Sequence, residues 1–248
     1  MATLAPNTSR SPTELMRLHL DALYTHDADG KMLCVNEWTA GKPPRFHLGR
    51  TVSGHVWRFS ATLPEDVATQ LAAVAATEPV LDPLPEWPVY RGEYERLLAK
   101  HDAAVNQWSG PAYAFSFETE TARRSPGACE LLDASSGQSL ARHLPEWVED
   151  TAHRSPFVGV AAEKGGDIVA VCASVRITPD AHEAGVEAAA GFRRRGYALQ
   201  AVADWADQVR LLSPACIPMY STSWDNLASR GLASTLGLTQ YGVDYHVD

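Results

Sequence analysis

The stretch AHEAGVEAAAGFRRRGYA, residues 181–198, decides how this chain is read. Its first part, His182–Ala188, reads as extended backbone. At a period of two, Glu183, Gly185 and Glu187 fall on one face, and His182, Ala184 and Val186 on the other. Its end reads as a helix start, because Ala198, Ala201, Val202, Trp205, Val209 and Leu212 recur on one helical face. Between the two lies Arg193-Arg194-Arg195-Gly196-Tyr197-Ala198, an R-x-x-G-x-A turn. The first turn of a helix offers unpaired N–H groups and the positive end of the dipole. Gly196 and Ala198 keep side chains out of the way, and the three arginines add charge. The expected ligand of such a cradle is a phosphate or pyrophosphate. The turn is not a P-loop, since no G-x-x-x-x-G-K-[ST] occurs, and it is a poor dinucleotide fingerprint.

Working outward, the chain alternates short elements. Cys129–Leu132 and Phe157–Ala162 read as strands, and Ser139–Glu149 as an amphipathic helix through Leu140, Leu144, Trp147 and Val148. Gly165-Gly166 marks a hairpin turn before the Val- and Ile-rich strand Ile168–Ile177. Beyond the long helix, Pro214 to Pro218 form a break and Met219–Ser223 a strand. Asp225-Asn226 can cap a helix that runs to Leu236, Gly237 suits its C′ position, and Thr239–Val247 closes the chain as a strand. Toward the N-terminus, residues 1–13 read as a loose tail. Leu15, Leu18, Ala22 and Leu23 are spaced as a helix, and Met32–Val35, Phe46–Leu48 and His55–Phe59 as strands. Pro64–Ala76 and Tyr94–Lys100 read as helices. Glu78–Pro88 carries Pro79, Pro83, Pro85 and Pro88 and is the best linker. Glu118–Gly127 is a second boundary candidate. The expected division is therefore an N-terminal α+β domain at 1–124, with a Pro-rich linker at 78–88, and a second domain at 125–248.

The order strand, helix, strand, hairpin strand, strand, R-x-x-G-x-A, helix, strand, Asn-led helix, strand resembles the GNAT N-acetyltransferase family over about residues 125–248. Asn226 at the start of the last helix and Leu236-Gly237-Leu238 at its exit add to the likeness. The resemblance implies an α/β fold with a mixed central sheet, and acetyl-CoA as acyl donor without a metal. It implies that Arg194, Arg195, Gly196, Tyr197 and Ala198 contact the pyrophosphate, with Arg193 in the Q/R position. It further implies that the backbone of Ala188, Ala189 and Ala190 pairs with the pantetheine arm, and that Asn226 and Ser229 hydrogen-bond it. One departure stands out: a tyrosine is common four residues before the helix-exit glycine, as acid to the departing thiolate, and here that position is Ala233.

An amine acceptor is protonated at neutral pH and must lose a proton before attack. Glu183 and Glu187 are the candidate catalytic bases, with His182 behind them. The implied activity is acetyl transfer to an amine of a small molecule or peptide, by direct attack in a ternary complex. The alternative is a weakly catalytic or non-catalytic acyl-CoA-binding module whose N-terminal domain binds a partner; Ala233 is its main support. The N-terminal part is left with three open roles: shaping the acceptor pocket, homodimerisation, or being a diverged half of the same fold.

Composition bounds these readings. In 248 residues, 30 Asp and Glu against 21 Lys and Arg give a net charge of −9, which argues against nucleic acid and anionic membrane as partners. Hydrophobic residues make up 45%, the level of ordinary globular chains, so disordered and fibrous classes are excluded. Cys34, Cys129, Cys172 and Cys216 form no C-x-x-C pair, and the nine histidines show no metal spacing. No signal peptide or membrane-spanning run is legible, so a cytoplasmic protein is expected.

Overall fold

In the computed structural model of this protein, residues 10–103, 106–115 and 127–248 are described. Helix α1 (Pro12–Leu23) opens on a capping box. The Ser11 hydroxyl accepts from the Glu14 amide, and the Glu14 carboxylate accepts from the Ser11 amide at 2.7 Å. The hairpin β1 (Tyr24–His26) and β2 (Met32–Val35) follows, then β3 (Phe46–Thr51), β4 (Gly54–Phe59), α2 (Glu65–Ala75), α3 (Arg91–Ala99) and β5 (Gln107–Ala114). The rest comprises β6 (Ala128–Leu131), α4 (Gly137–Leu140), β7 (Phe157–Ala161), β8 (Ile168–Ile177), β9 (Ala181–Ala188), α5 (Tyr197–Leu212), β10 (Ile217–Ser221), α6 (Leu227–Thr235) and β11 (Thr239–Val247).

Among the described residues, nine strands make one sheet in the order β4-β3-β11-β5-β10-β9-β8-β7-β6. Only the β9–β10 pair is parallel among its neighbours. Alternation along the strands sends side chains to two layers. Ala184, Val186 and Ala188 of β9 pack with Val202, Trp205 and Val209 of α5, and Ala233 of α6 joins them. On that same face Phe46, Leu48, Tyr245 and Val247 bury Leu71 of α2 and Leu97 of α3. The opposite face is covered by Met16 and Leu20 of α1, and by Leu140, Leu144 and Trp147 from the segment after β6.

The strands β3, β4 and β5, from before residue 125, therefore share one sheet with strands from after it. The expected boundary at 124/125 lies outside the described residues. The Pro-rich segment 78–88 has no helix or strand, yet it is clamped. Buried Glu78 accepts hydrogen bonds from the Val89 and Tyr90 amides and from the Tyr94 hydroxyl. The Glu86 carbonyl accepts from Arg50 at 2.8 Å and from the Ser109 hydroxyl at 2.6 Å.

The expected helix at Ser139–Glu149 is corrected. The chain there is the single turn α4 followed by 3-10 turns at Pro145–Trp147 and Glu149–Ala152. Pro145 lacks the amide a helix would need, and its ring crowds the preceding turn. Leu140, Leu144 and Trp147 are still buried, so the apolar pattern marked burial rather than path.

Candidate active site

The central feature is a parting of strands. The β9–β10 ladder ends at Glu183↔Met219, while β9 stays paired with β8 as far as Ala188↔Ala170. The Asp180 carbonyl accepts from Ile217 on the β10 side, and the Ala189 amide donates to Val169 on the β8 side. Alternation then turns the N–H and C=O groups of Val186 and Ala188 toward the β10 side, beyond the last ladder pair. The Ala188 carbonyl takes a 3.0 Å hydrogen bond from Arg193 Nε. Of the three alanines expected to offer backbone to a ligand, only Ala188 faces this gap. The Ala189 amide is already bonded, and Ala190 lies in an exposed 3-10 turn.

This open edge leads to the R-x-x-G-x-A turn. Arg194 has φ +60° and Gly196 has φ +88°, so two left-handed residues wind the chain into α5. Gly196 is the N-cap and brings no capping side chain, which leaves the first-turn amides of Tyr197, Ala198 and Leu199 without side-chain partners. Arg193, Arg194 and Arg195 are exposed around them, and Arg195 lies over the Phe192 ring at 5.5 Å. Backbone donors, the positive end of a helix dipole and guanidinium groups thus converge where a pyrophosphate would sit.

The two candidate bases lie on the face away from α5, in different settings. Glu187 is at the rim: its Oε2 accepts from Trp147 Nε1 at 2.9 Å, and its Oε1 is 3.9 Å from Arg193. Glu183 is 1% exposed, beside the point where the strands part. Its Oε1 accepts from the Ser221 hydroxyl at 2.6 Å, and its Oε2 is 3.4 Å from His19 Nδ1 without hydrogen-bond geometry. His182 points to the other layer. Trp205 donates to the Ser174 hydroxyl, which is hydrogen-bonded to His182 Nδ1 at 2.8 Å, and burial holds this imidazole below its ordinary pKa.

Asn226 caps α6, its side-chain oxygen accepting from the Ser229 amide at 3.1 Å; its side-chain NH2 group is left for other partners. Ser229 lies half-buried in the first turn of the same helix. Ala233 is fully buried in the α5 cluster beside Tyr220. Arg176 pairs with Glu37 at 2.6 Å.

Sequence reading missed His19 and Asp244. His19 lies on the buried stripe of α1 with Met16, Leu20 and Leu23, and a polar residue on an apolar stripe was the available signal. Its Nε2 is 2.9 Å from Asp244 Oδ2. Burial pushes the His19 pKa down, but the Asp244 and Glu183 charges outweigh this and hold it at about 10. Burial pushes Asp244 up, yet the His19 charge and the hydrogen bonds from His19 and His47 keep it below the usual carboxylate range. Among the described residues, no group of three or more His, Cys, Asp or Glu is placed to hold a metal ion, and no helix is long and apolar enough to cross a membrane.

Residues 131–246 match the family model described as GNAT acetyltransferase. Among solved structures, a Drosophila protein superposes at TM-score 0.50 with 12% identity, over 81% of this chain and 72% of its own. A GCN5-related N-acetyltransferase-like protein from Streptococcus suis gives TM-score 0.47 at 14% identity, over 83% of this chain and 85% of its own. A GCN5-related N-acetyltransferase from Sphaerobacter thermophilus gives TM-score 0.46 at 13% identity, and the match spans 62% of this chain and 55% of its own. No curated protein sequence matches the chain. At such identities structural likeness speaks of fold alone. Over residues 131–246, somewhat less than half of its length, the chain is similar to the GNAT acetyltransferase family.

Proposed function

We propose that the protein transfers an acetyl group from acetyl-CoA to an amine of a small molecule or peptide. The observation that carries this reading is the open β9 edge running into an uncapped, arginine-lined start of α5. Acetyl-CoA supplies the activated acyl group. The chain supplies the rest. The amides of Tyr197 and Ala198, with Arg194 and Arg195, hold the pyrophosphate. Val186 and Ala188 offer backbone to the arm, and the Asn226 side-chain NH2 group lies free to bond it. Glu183, at the closed end of the gap, takes the proton of the acceptor amine on the face away from α5. Glu187 is held by Trp147 and Arg193, so it shapes the rim rather than serving as base. The net charge of −9 favours a cationic acceptor.

Thiol release from acetyl-CoA, measured against a panel of primary amines, tests the reading, with calorimetry for acetyl-CoA binding. Saturable turnover with one class of amine is expected. Tight acetyl-CoA binding with no turnover on any amine would leave a binding module instead.

A further inference from the structure

Two buried carboxylates, Glu183 on β9 and Asp244 on β11, face the same layer with β10 and β5 between their strands. Helix α1 crosses over them and places the fully buried His19 ring in the space between. Its Nε2 is 2.9 Å from Asp244 Oδ2, and its Nδ1 is 3.4 Å from Glu183 Oε2. The second Asp244 oxygen is 3.1 Å from His47 Nε2, and His47 Nδ1 is 2.9 Å from the Tyr24 hydroxyl. Tyr24 donating to Nδ1 leaves the His47 Nε2–H to donate to Asp244, so a neutral His47 satisfies both bonds. His19 differs, because both of its nitrogens face carboxylate oxygens. Only the imidazolium puts a proton on each. The other titratable group against it is Tyr241, whose ring meets the imidazole edge-on at 6.0 Å.

Glu183 receives one hydrogen bond, from Ser221, and is otherwise enclosed. A carboxylate so buried takes up a proton unless a positive charge stands beside it. A protonated Glu183 could not accept another proton. Resting on the reading of Glu183 as base, we propose that His19 is its positioning residue: α1 supplies the imidazolium that fixes Glu183 against Ser221 and keeps it ionised inside the fold, so the N-terminal part of the chain completes the acceptor side of the site. Asp244 and His47 anchor that imidazolium from behind.

The test follows the Glu183 carboxyl by 13C NMR in full-length protein labelled at glutamate carboxyls, assigned with Glu183→Gln. The wild-type Glu183 signal is the reference. In His19→Gln its midpoint rises by about one unit or more, the acidic limb of kcat/KM moves up with it, and acetyl-CoA affinity is unchanged. If His19→Gln does not fold, the coupling is read from its other end: the His19 imidazole, followed by 15N NMR, drops in midpoint by about one unit in Glu183→Gln. A wild-type His19 found neutral at pH 7, or midpoints that ignore both substitutions, overturns the proposal. Coupled midpoints without turnover on any amine overturn the acetyltransfer reading alone. Turnover with uncoupled midpoints overturns this inference alone.

Discussion

Glu183 and Glu187 have the same side chain on the same face of one strand, yet their chemistry differs through neighbours that are remote in sequence. Glu187 meets Trp147 and Arg193; Glu183 meets Ser221 and, across more than 160 positions, His19. Their shared face was legible from alternation, and their roles were not, because burial and counter-charge come from other elements. The His19 ion pairs set a pH dependence. The His19 pKa is raised to about 10, so their contribution to stability is full below the unfolded value of about 6.5 and is lost as pH rises through about 10. Thermal melts should show the wild type falling more steeply than His19→Gln between neutral pH and pH ~10.5; parallel curves would refute the pairing. Asp244, held low, loses its contribution only at acid pH. The cradle makes its own claim at Gly196. A glutamate there adds a side chain, a negative charge and the strain of φ +88°. Acetyl-CoA affinity should fall by at least about tenfold, while far-UV circular dichroism is unchanged. Undiminished affinity would remove the anion from this turn.

At the scale of elements, prolines and glycines explain what sequence patterns hid. Strand β5 went unread because Gly110 and Pro111 interrupt it. Its β10 ladder covers only Ala112–Ala114 against Ser221–Met219. The Pro111 carbonyl accepts from the Thr222 amide, so its missing N–H also points toward β10, just past one end of that ladder. Pro218 does the same at the other end, its carbonyl accepting from the Phe115 amide. Each proline sits where no ladder donor is required, which lets both occupy strands in the middle of a sheet. Gly110 has a different reason: a Cβ there would collide with the Thr222 carbonyl oxygen. Gly110→Ala should therefore destabilise by about 3 kcal/mol or more in urea unfolding. Gly237, with φ +64°, ends α6 in a Schellman motif, the Leu238 amide donating to Ala233 and the Gly237 amide to Ser234. A Cβ there meets nothing within 4 Å, so Gly237→Ala should cost only the backbone strain, about 1–2 kcal/mol. Equal costs at the two glycines would contradict this distinction. The α6 caps, by contrast, were legible, because a cap is set by residues within one turn of it.

At the scale of the molecule, β5 from the first half is threaded between β10 and β11 from the second. Removing either part would expose sheet edges and split the layer over Glu183. Urea unfolding should therefore give one transition, with tryptophan fluorescence and far-UV circular dichroism coinciding; two separated midpoints would show independent units. By itself the sequence determined the local grammar of this protein: the strand at 168–177, the strand–turn–helix of the cradle, the capped last helix, and a family resemblance carried by that order. These depend on periodicity, caps and turn residues, all of which act within a few positions along the chain. Only the tertiary structure decided that the N-terminal strands complete the sheet, that β9 and β10 part after Glu183, and that His19 stands between Glu183 and Asp244. Strand pairing and burial of charge depend on contacts across the whole chain, and a buried carboxylate is defined by the imidazolium that the fold brings to it.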